Sequence, residues 1–314
     1  MARIDTLANF LTDVAAAIKA KTGKTDAITP ANFDTEINSI EGGTYQPRHI
    51  GFYYYNGTDL DAEIEKLDTS LLTSMRYLFN NCRYVTNLVI NSATFVDTNV
   101  TDMHYLFNNM YSVEKISIPL LIGEKVTDIE CMFYKTGSST TNGTIIELPN
   151  FVATNASNTN NMFGDSSSRG KIQSVDLRSF NSIKMTHFGQ FLEKQSTLKS
   201  VDMRSFVGEA IVNTAGTFLN CTALETVNLA SLAVPNMTSL YGEMFSGCSS
   251  LKYLDMRSFP FSKWTSGTGV TTMFTSVPAS CEIIVKDDTE KAWFTTYWSN
   301  LTNVKTVAEL EAEE

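Results

Sequence analysis

Charge is scarce in this chain. Lys, Arg, Asp and Glu make up 18% of its 314 residues, below the roughly 25% usual for soluble domains, and Ser, Thr and Asn take their place. What charge there is leans acidic, with 24 basic against 34 acidic residues and a net charge of −10. An acidic chain repels phosphate and has no counterion release to draw on, so nucleic acid is excluded as a partner. No apolar run approaches the ~20 residues that span a bilayer. The Leu7 to Val14 stretch is bracketed by Asp5 and Asp13, not led by basic residues. Neither membrane insertion nor a secretory leader is expected, and a chain made in the cytosol is the simplest reading.

Residues that carry chemistry are equally sparse. The five cysteines (Cys82, Cys131, Cys221, Cys248, Cys281) form no CxxC and no close pair, so free thiols in apolar surroundings are expected. The histidines His49, His104 and His187 each stand alone, with no His or carboxylate at i+3 or i+4 suited to a metal, and surface or cap roles are expected. HExxH, GxSxG, P-loop, dinucleotide and EF-hand patterns are missing. The chain is therefore expected to be no enzyme, with no catalytic residues, no cofactor and no metal. Disorder is excluded, since 43% of the residues are apolar.

What is present falls into two parts. Leu7, Phe10, Leu11, Val14, Ala17 and Ile18 recur at helical spacing, with Asp5 or Thr6 as cap and Gly23 as stop. Thr29-Pro30 starts a second helix carrying Phe33, Ile37 and Ile40, and Gly42-Gly43 ends it. Two such helices bury little surface alone. Their apolar faces must pack on each other, on the neighbouring domain, or on a larger assembly. The run LANFLTDVAAAIKAKTGKTDAITPANFDTEINSIEGG, residues 7–43, resembles the N-terminal module common in bacteriophage virion proteins, tail and fibre components above all. The resemblance implies an anchor face of Leu7, Phe10, Leu11, Val14, Ile18, Phe33, Ile37 and Ile40.

The remainder repeats. Phe79, Phe107, Phe133, Phe163, Phe191, Phe218, Phe245 and Phe274 are spaced 26 to 30 residues apart. Each is followed by an apolar i, i+2 pair, from Leu88/Ile90 to Ile283/Val285. Such alternation turns both residues of one short strand inward, and the Phe fills the same coil. One coil cannot bury its own faces, so coils must stack into a parallel ladder. Eight coils at about 4.8 Å make a rod of roughly 35–40 Å. The segments TSMRYLFNNCRYVTNLVI (73–90), FLNCTALETVNL (218–229) and MFSGCSSLKYLDMRSF (244–259) resemble the BspA-like leucine-rich repeat family. The closing IIVKDDTEKAWFTTYWSNLTNVKTV (283–307) is similar to the strand and Trp-Ser helix that end many such arrays.

The expected fold is thus an α+β repeat in four parts. These are an N-terminal helical hairpin (1–43), a solenoid cap (44–69), a leucine-rich-repeat solenoid of about eight coils (70–285), and a C-terminal cap with a frayed acidic tail (286–314). Asp176, Asp202 and Asp255, each followed by Arg at i+2, are expected to form a solvated ladder. Three units carry Cys at Phe+3 (Cys82, Cys221, Cys248); two of those without it insert GSSTTNG (137–143) and DSSSRG (165–170). Insertions collect on the binding edge of repeat proteins, which makes Tyr134, Ser138, Thr140, Asn142, Ser166, Ser168 and Arg169 candidate contact residues; the bland alternative is a soluble spacer. The two resemblances together imply a phage virion protein, a tail or head fibre or decoration, that docks other virion proteins through its hairpin. Its solenoid would project for adhesion to a host glycan or protein, and fibre analogy implies a homo-oligomer. The alternative is a bacterial cell-surface adhesin of the BspA-like type.

Overall fold

In the computed structural model the chain divides into residues 1–47 and 48–314. The described residues are 67–313 except 168, 169, 182 and 239–241, together with isolated positions 19, 52, 55, 57, 58, 60 and 64. The eight anchor-face positions, Leu7, Phe10, Leu11, Val14, Ile18, Phe33, Ile37 and Ile40, lie outside them, as do Ser168 and Arg169. Among the described residues no helix is long and apolar enough to cross a membrane.

The repeats form a solenoid of parallel strands. In chain order these are β1 (Asn87–Val89), β2 (Lys115–Ser117), β3 (Thr144–Glu147), β4 (Ile172–Val175), β5 (Ser200–Asp202), β6 (Thr226–Asn228), β7 (Tyr253–Asp255), β8 (Glu282–Val285) and β9 (Val304–Thr306). The inward residues lie in register, Leu88 beside Ile116 beside Ile146 beside Val175. After a gap the row resumes with Val201, Val227, Leu254, Ile283 and Val304. Opposite the strands, each coil turns through left-handed residues such as Tyr77 (φ 63°), Asn81 (φ 61°), Tyr105 (φ 58°) and Asn109 (φ 59°). Side chains in this region cost about 1–2 kcal/mol each. The offset comes from amides aimed at the next coil: Tyr77 N–H donates to the His104 carbonyl (3.2 Å), Phe79 to Leu106 (2.9 Å) and Asn81 to Asn108 (2.9 Å).

The interior is a file of aromatic rings. Phe79, Phe107, Phe133 and Phe163 are fully buried, with ring centres 5.5, 4.9 and 5.1 Å apart. Phe218, Phe245 and Phe274 continue it at 5.2 and 5.8 Å. Phe191 is displaced from the file. Phe163 N–H donates to the Phe191 carbonyl, as Phe133 does to Met162, and Leu192 N–H donates to Thr217. Leu192 therefore occupies the ring position, and Phe191 fills the Leu/Met position before it. It meets Phe163 edge-on at 80°.

The cysteines at Phe+3 have a structural task. The Sγ atoms of Cys82, Cys221 and Cys248 donate to the carbonyls of Phe52, Leu192 and Phe218 in the preceding coil, at 3.2, 3.0 and 3.1 Å. Thr136 makes the same bond to Phe107 (2.7 Å), and Gln195 makes it to Phe163. Any small or reachable donor serves here, because the requirement is a partner for a buried carbonyl.

Both ends of the file are covered. Phe52 stacks on Phe79 at 5.5 Å. A 3-10 turn (Phe261–Lys263) and α1 (Thr268–Thr272) lead into β8, and α2 (Asp288–Tyr297) follows it. Asp287 caps α2 by accepting from Thr289 and Glu290 N–H. Phe294 and Trp298 then close over Phe274 at 5.3 and 5.5 Å. The acidic tail differs from its expected frayed state: β9 adds a strand and α3 (Val307–Glu311) follows, started by a Thr306/Glu309 capping box. Lys291 holds Glu309 at 2.6 Å and Lys305 holds Glu313 at 2.5 Å.

Candidate functional site

The strand ladder breaks once. Strands β1 to β4 form one sheet and β5 to β9 another. Just before the break β4 carries a bulge: Thr144 faces Ile172 but Ile145 faces Ser174, leaving Gln173 as an extra residue. The two coils stay tied on both sides of the break, where Thr197 Oγ1 donates to the Ile172 carbonyl (2.8 Å), Ile172 N–H donates to Gln195 Oε1 (2.8 Å) and, past the strands, Ser205 Oγ donates to the Leu177 carbonyl (3.1 Å). Between these ties β4 and β5 part. The core explains the divergence, since four rings crowd this coil: Phe180, Phe188, Phe191 and Phe206, with centres 4.8 to 6.2 Å apart.

The opening is a cleft of about 1010 Å³ on the outer strand face. Its walls are rich in hydroxyl and amide groups, including Asn142, Gln173, Ser174, Thr197 and Ser200. The 137–143 insertion supplies one rim. Gly143 (φ 95°) turns it back into β3, and a Cβ there would sit 2.6 Å from the Lys171 carbonyl, so only glycine fits.

Acid–arginine pairs stand at the cleft mouth. Asp176 takes Arg178 Nε at 3.0 Å and Nη2 at 2.7 Å; Asp202 takes Arg204 at 2.9 and 2.5 Å. Each aspartate also accepts the backbone N–H two residues on, at 3.1 Å. The guanidinium bonds hold both carboxyls below the usual aspartate range. They stay ionised and act as acceptors, which fits hydrogen bonding to hydroxyls and not proton donation. The third pair departs from the expected solvated ladder. Asp255 is 1% exposed and paired with Arg257 at 2.7 Å. Tyr253, whose hydroxyl is 3.4 Å from Asp255, stands where Ser174 and Ser200 stand in the other coils.

Of the contact residues expected from sequence, Asn142 alone among those described lines this cleft. Tyr134 is half-buried, and its hydroxyl meets Ser166 Oγ across the coil boundary. Ser138 is half-buried. Thr140 is buried, its hydroxyl donating to the Gly137 carbonyl at 2.7 Å and its own carbonyl taking Lys171 Nζ at 2.6 Å. It holds the loop's shape and is not a contact residue. Gln173, Ser174 and Thr197 were passed over; the signal for them was the disturbed repeat on either side.

One further group has metal-binding chemistry. His104, expected at the surface or in a cap, is 8% exposed. Its Nδ1 lies 3.3 Å from Asp128 Oδ2 and 3.7 Å from Glu130 Oε2. Asp128 Oδ1 is committed to Glu130 N–H at 2.9 Å, and Glu130 Oε2 accepts from Asn158 Nδ2 at 2.9 Å.

Comparison with known proteins adds a family. Residues 50–174 and 157–286 match the family model described as "Mycoplasma protein of unknown function, DUF285"; the matched span is the repeat array. No curated protein matches the chain. Among solved structures, a leucine-rich cell surface protein from Faecalibacterium prausnitzii A2-165 is similar at 16% identity, over 76% of this chain and 78% of that one, with a TM-score of 0.25.

Proposed function

Since this chain belongs to the DUF285 repeat family, whose array has the BspA-like repeat pattern, we propose that it is a non-enzymatic adhesion protein of a phage particle. The N-terminal segment fastens it to other virion proteins, and the solenoid presents the cleft between β4 and β5 to a host-surface glycan. The fastening role rests on the resemblance of residues 7–43 to the virion module. The binding role rests on one observation: the ladder opens once, and the opening is lined by neutral hydroxyl and amide groups beside ionised acceptors. Sugar hydroxyls pair with such groups without requiring net charge. The two aspartates serve as acceptors because arginine keeps them charged.

Binding of purified full-length protein to host cells tests the cleft. Ser174→Trp fills it from an exposed position and should abolish binding, while Thr98→Trp, exposed on a distant coil, should leave binding intact. Equal binding by both variants refutes the cleft. Removal of residues 1–43 should leave cell binding intact and prevent incorporation into particles; normal incorporation refutes the anchor. The repeat pattern also supports a second reading, a bacterial surface adhesin. Finding the protein in washed cell envelopes and not in purified phage would favour it.

A further inference from the structure

We propose that His104, Asp128 and Glu130 form a binding site for one divalent first-row transition ion. The three donors come from adjacent coils. His104 and Glu130 each stand two residues after an aspartate, Asp102 and Asp128, whose Oδ1 accepts their N–H; Asp102 and Asp128 are bridged coil to coil. Stacking therefore sets the imidazole beside the carboxylates, with all three ligand atoms within 4.8 Å of one another. Donors at about 2.0–2.2 Å from a shared ion lie roughly 3.0–3.5 Å apart, close to the 3.3 and 3.7 Å seen from Nδ1.

The carboxylates are already oriented for this. Asp128 spends one oxygen on backbone and leaves Oδ2 directed at the ring. Asn158 steers Glu130 Oε2 from outside, as outer hydrogen bonds orient metal ligands. His104 supplies an independent sign. The ring is buried and its Nδ1 turns to the two carboxylates, while the unpartnered Nε2 lies on the other side of the imidazole and takes no part in the site. A single 3.3 Å bond is a weak return for burying a polar ring. An ion shared by three donors offsets that cost. The imidazole selects Zn²⁺, Fe²⁺ or Ni²⁺ over Mg²⁺ or Ca²⁺. The acid side chains are 33% and 32% exposed, which leaves positions open for water. Arg76, whose Nη1 lies 3.8 Å from Asp102, is the cation on this face; it is engaged by Asp102 and by the Tyr77 ring.

Calorimetric titration of the full-length protein with ZnCl₂ tests the site. One ion per chain is expected, with affinity at least about 10- to 100-fold weaker in Glu130→Gln and in Asp128→Asn at unchanged far-UV circular dichroism. Glu130→Gln keeps the acceptor for Asn158, so folding and ligation are read separately. No binding by the wild type, or equal affinity in both variants, overturns the assignment. So does a thiolate charge-transfer band on Co²⁺ substitution, which would place the ion on Cys131 next to Glu130.

Discussion

Phe133→Ala is the sharpest test of the stacked interior. The ring is 0% exposed and lies between Phe107 at 4.9 Å and Phe163 at 5.1 Å, nearly parallel to both. Removal forfeits burial, leaves a cavity, and breaks two ring pairs worth about 0.5–1.5 kcal/mol each. Buried Phe→Ala changes cost about 3–5 kcal/mol. Phe133→Leu keeps most of the volume and loses chiefly the ring pairs, so about 1–3 kcal/mol is expected; Leu192 already occupies this position one coil beyond Phe163. Urea unfolding separates local from global effects, because all three tryptophans, Trp264, Trp293 and Trp298, lie at the far end. Coils couple through nearest neighbours. In Phe133→Ala the circular dichroism midpoint should therefore fall below the tryptophan fluorescence midpoint, whereas Phe274→Ala, whose ring touches Phe294 and Trp298, should lower the fluorescence midpoint directly. A cost below about 1 kcal/mol for Phe133→Ala, or an equal cost for the Leu variant, refutes the aromatic file as the main source of cohesion.

Three further outcomes follow from particular contacts. Asp255→Ala should cost about 1.5–3 kcal/mol in chemical denaturation, since it removes a buried carboxylate that accepts from Arg257, whose own side chain is 34% exposed and can turn to water, while Asp202→Ala, on an exposed pair, should cost no more than about 1 kcal/mol. Burial pushes the thiols of Cys82, Cys131, Cys221 and Cys281 up to about 12, so a thiol reagent at neutral pH should label none of the five until denaturant is added. On acidification, Asp176, Asp202 and Glu147 have folded values held below the ordinary ones of 3.8 and 4.5, by Arg178, Arg204 and Lys115 respectively. Their stabilisation is complete above those ordinary values and is lost as pH falls through the lowered ones, so thermal stability should hold from neutral pH to about 5 and decline below about 4.

The periodic features were legible because every coil reuses one interior. The i, i+2 pairs named the inward strand residues, and seven of the eight phenylalanines mark the ring position. The exception carried its own warning. Six of the eight rings follow Leu or Met and Phe218 follows Thr217, but Gln190 precedes Phe191, and Phe191 itself precedes Leu192. The aromatic there belongs to the preceding position, and the file continues through a leucine. The metal-binding group was invisible to a search at i+3 and i+4 because its ligands are one coil apart; counting by the repeat places His104 beside Glu130. Burial of the aspartates was hidden differently. The segments DLRSF (176–180), DMRSF (202–206) and DMRSF (255–259) are nearly identical, yet only Asp255 is sealed. The differing residue lies two positions earlier, where Tyr253 replaces serine. The cleft belongs to no motif at all. It arises where an extra residue in β4 meets an overfilled aromatic coil, so the pattern betrays it only as a place where repetition falters. In a stacked array the regular positions hold the rod together, and departure from regularity is what makes one stretch of surface unlike the rest.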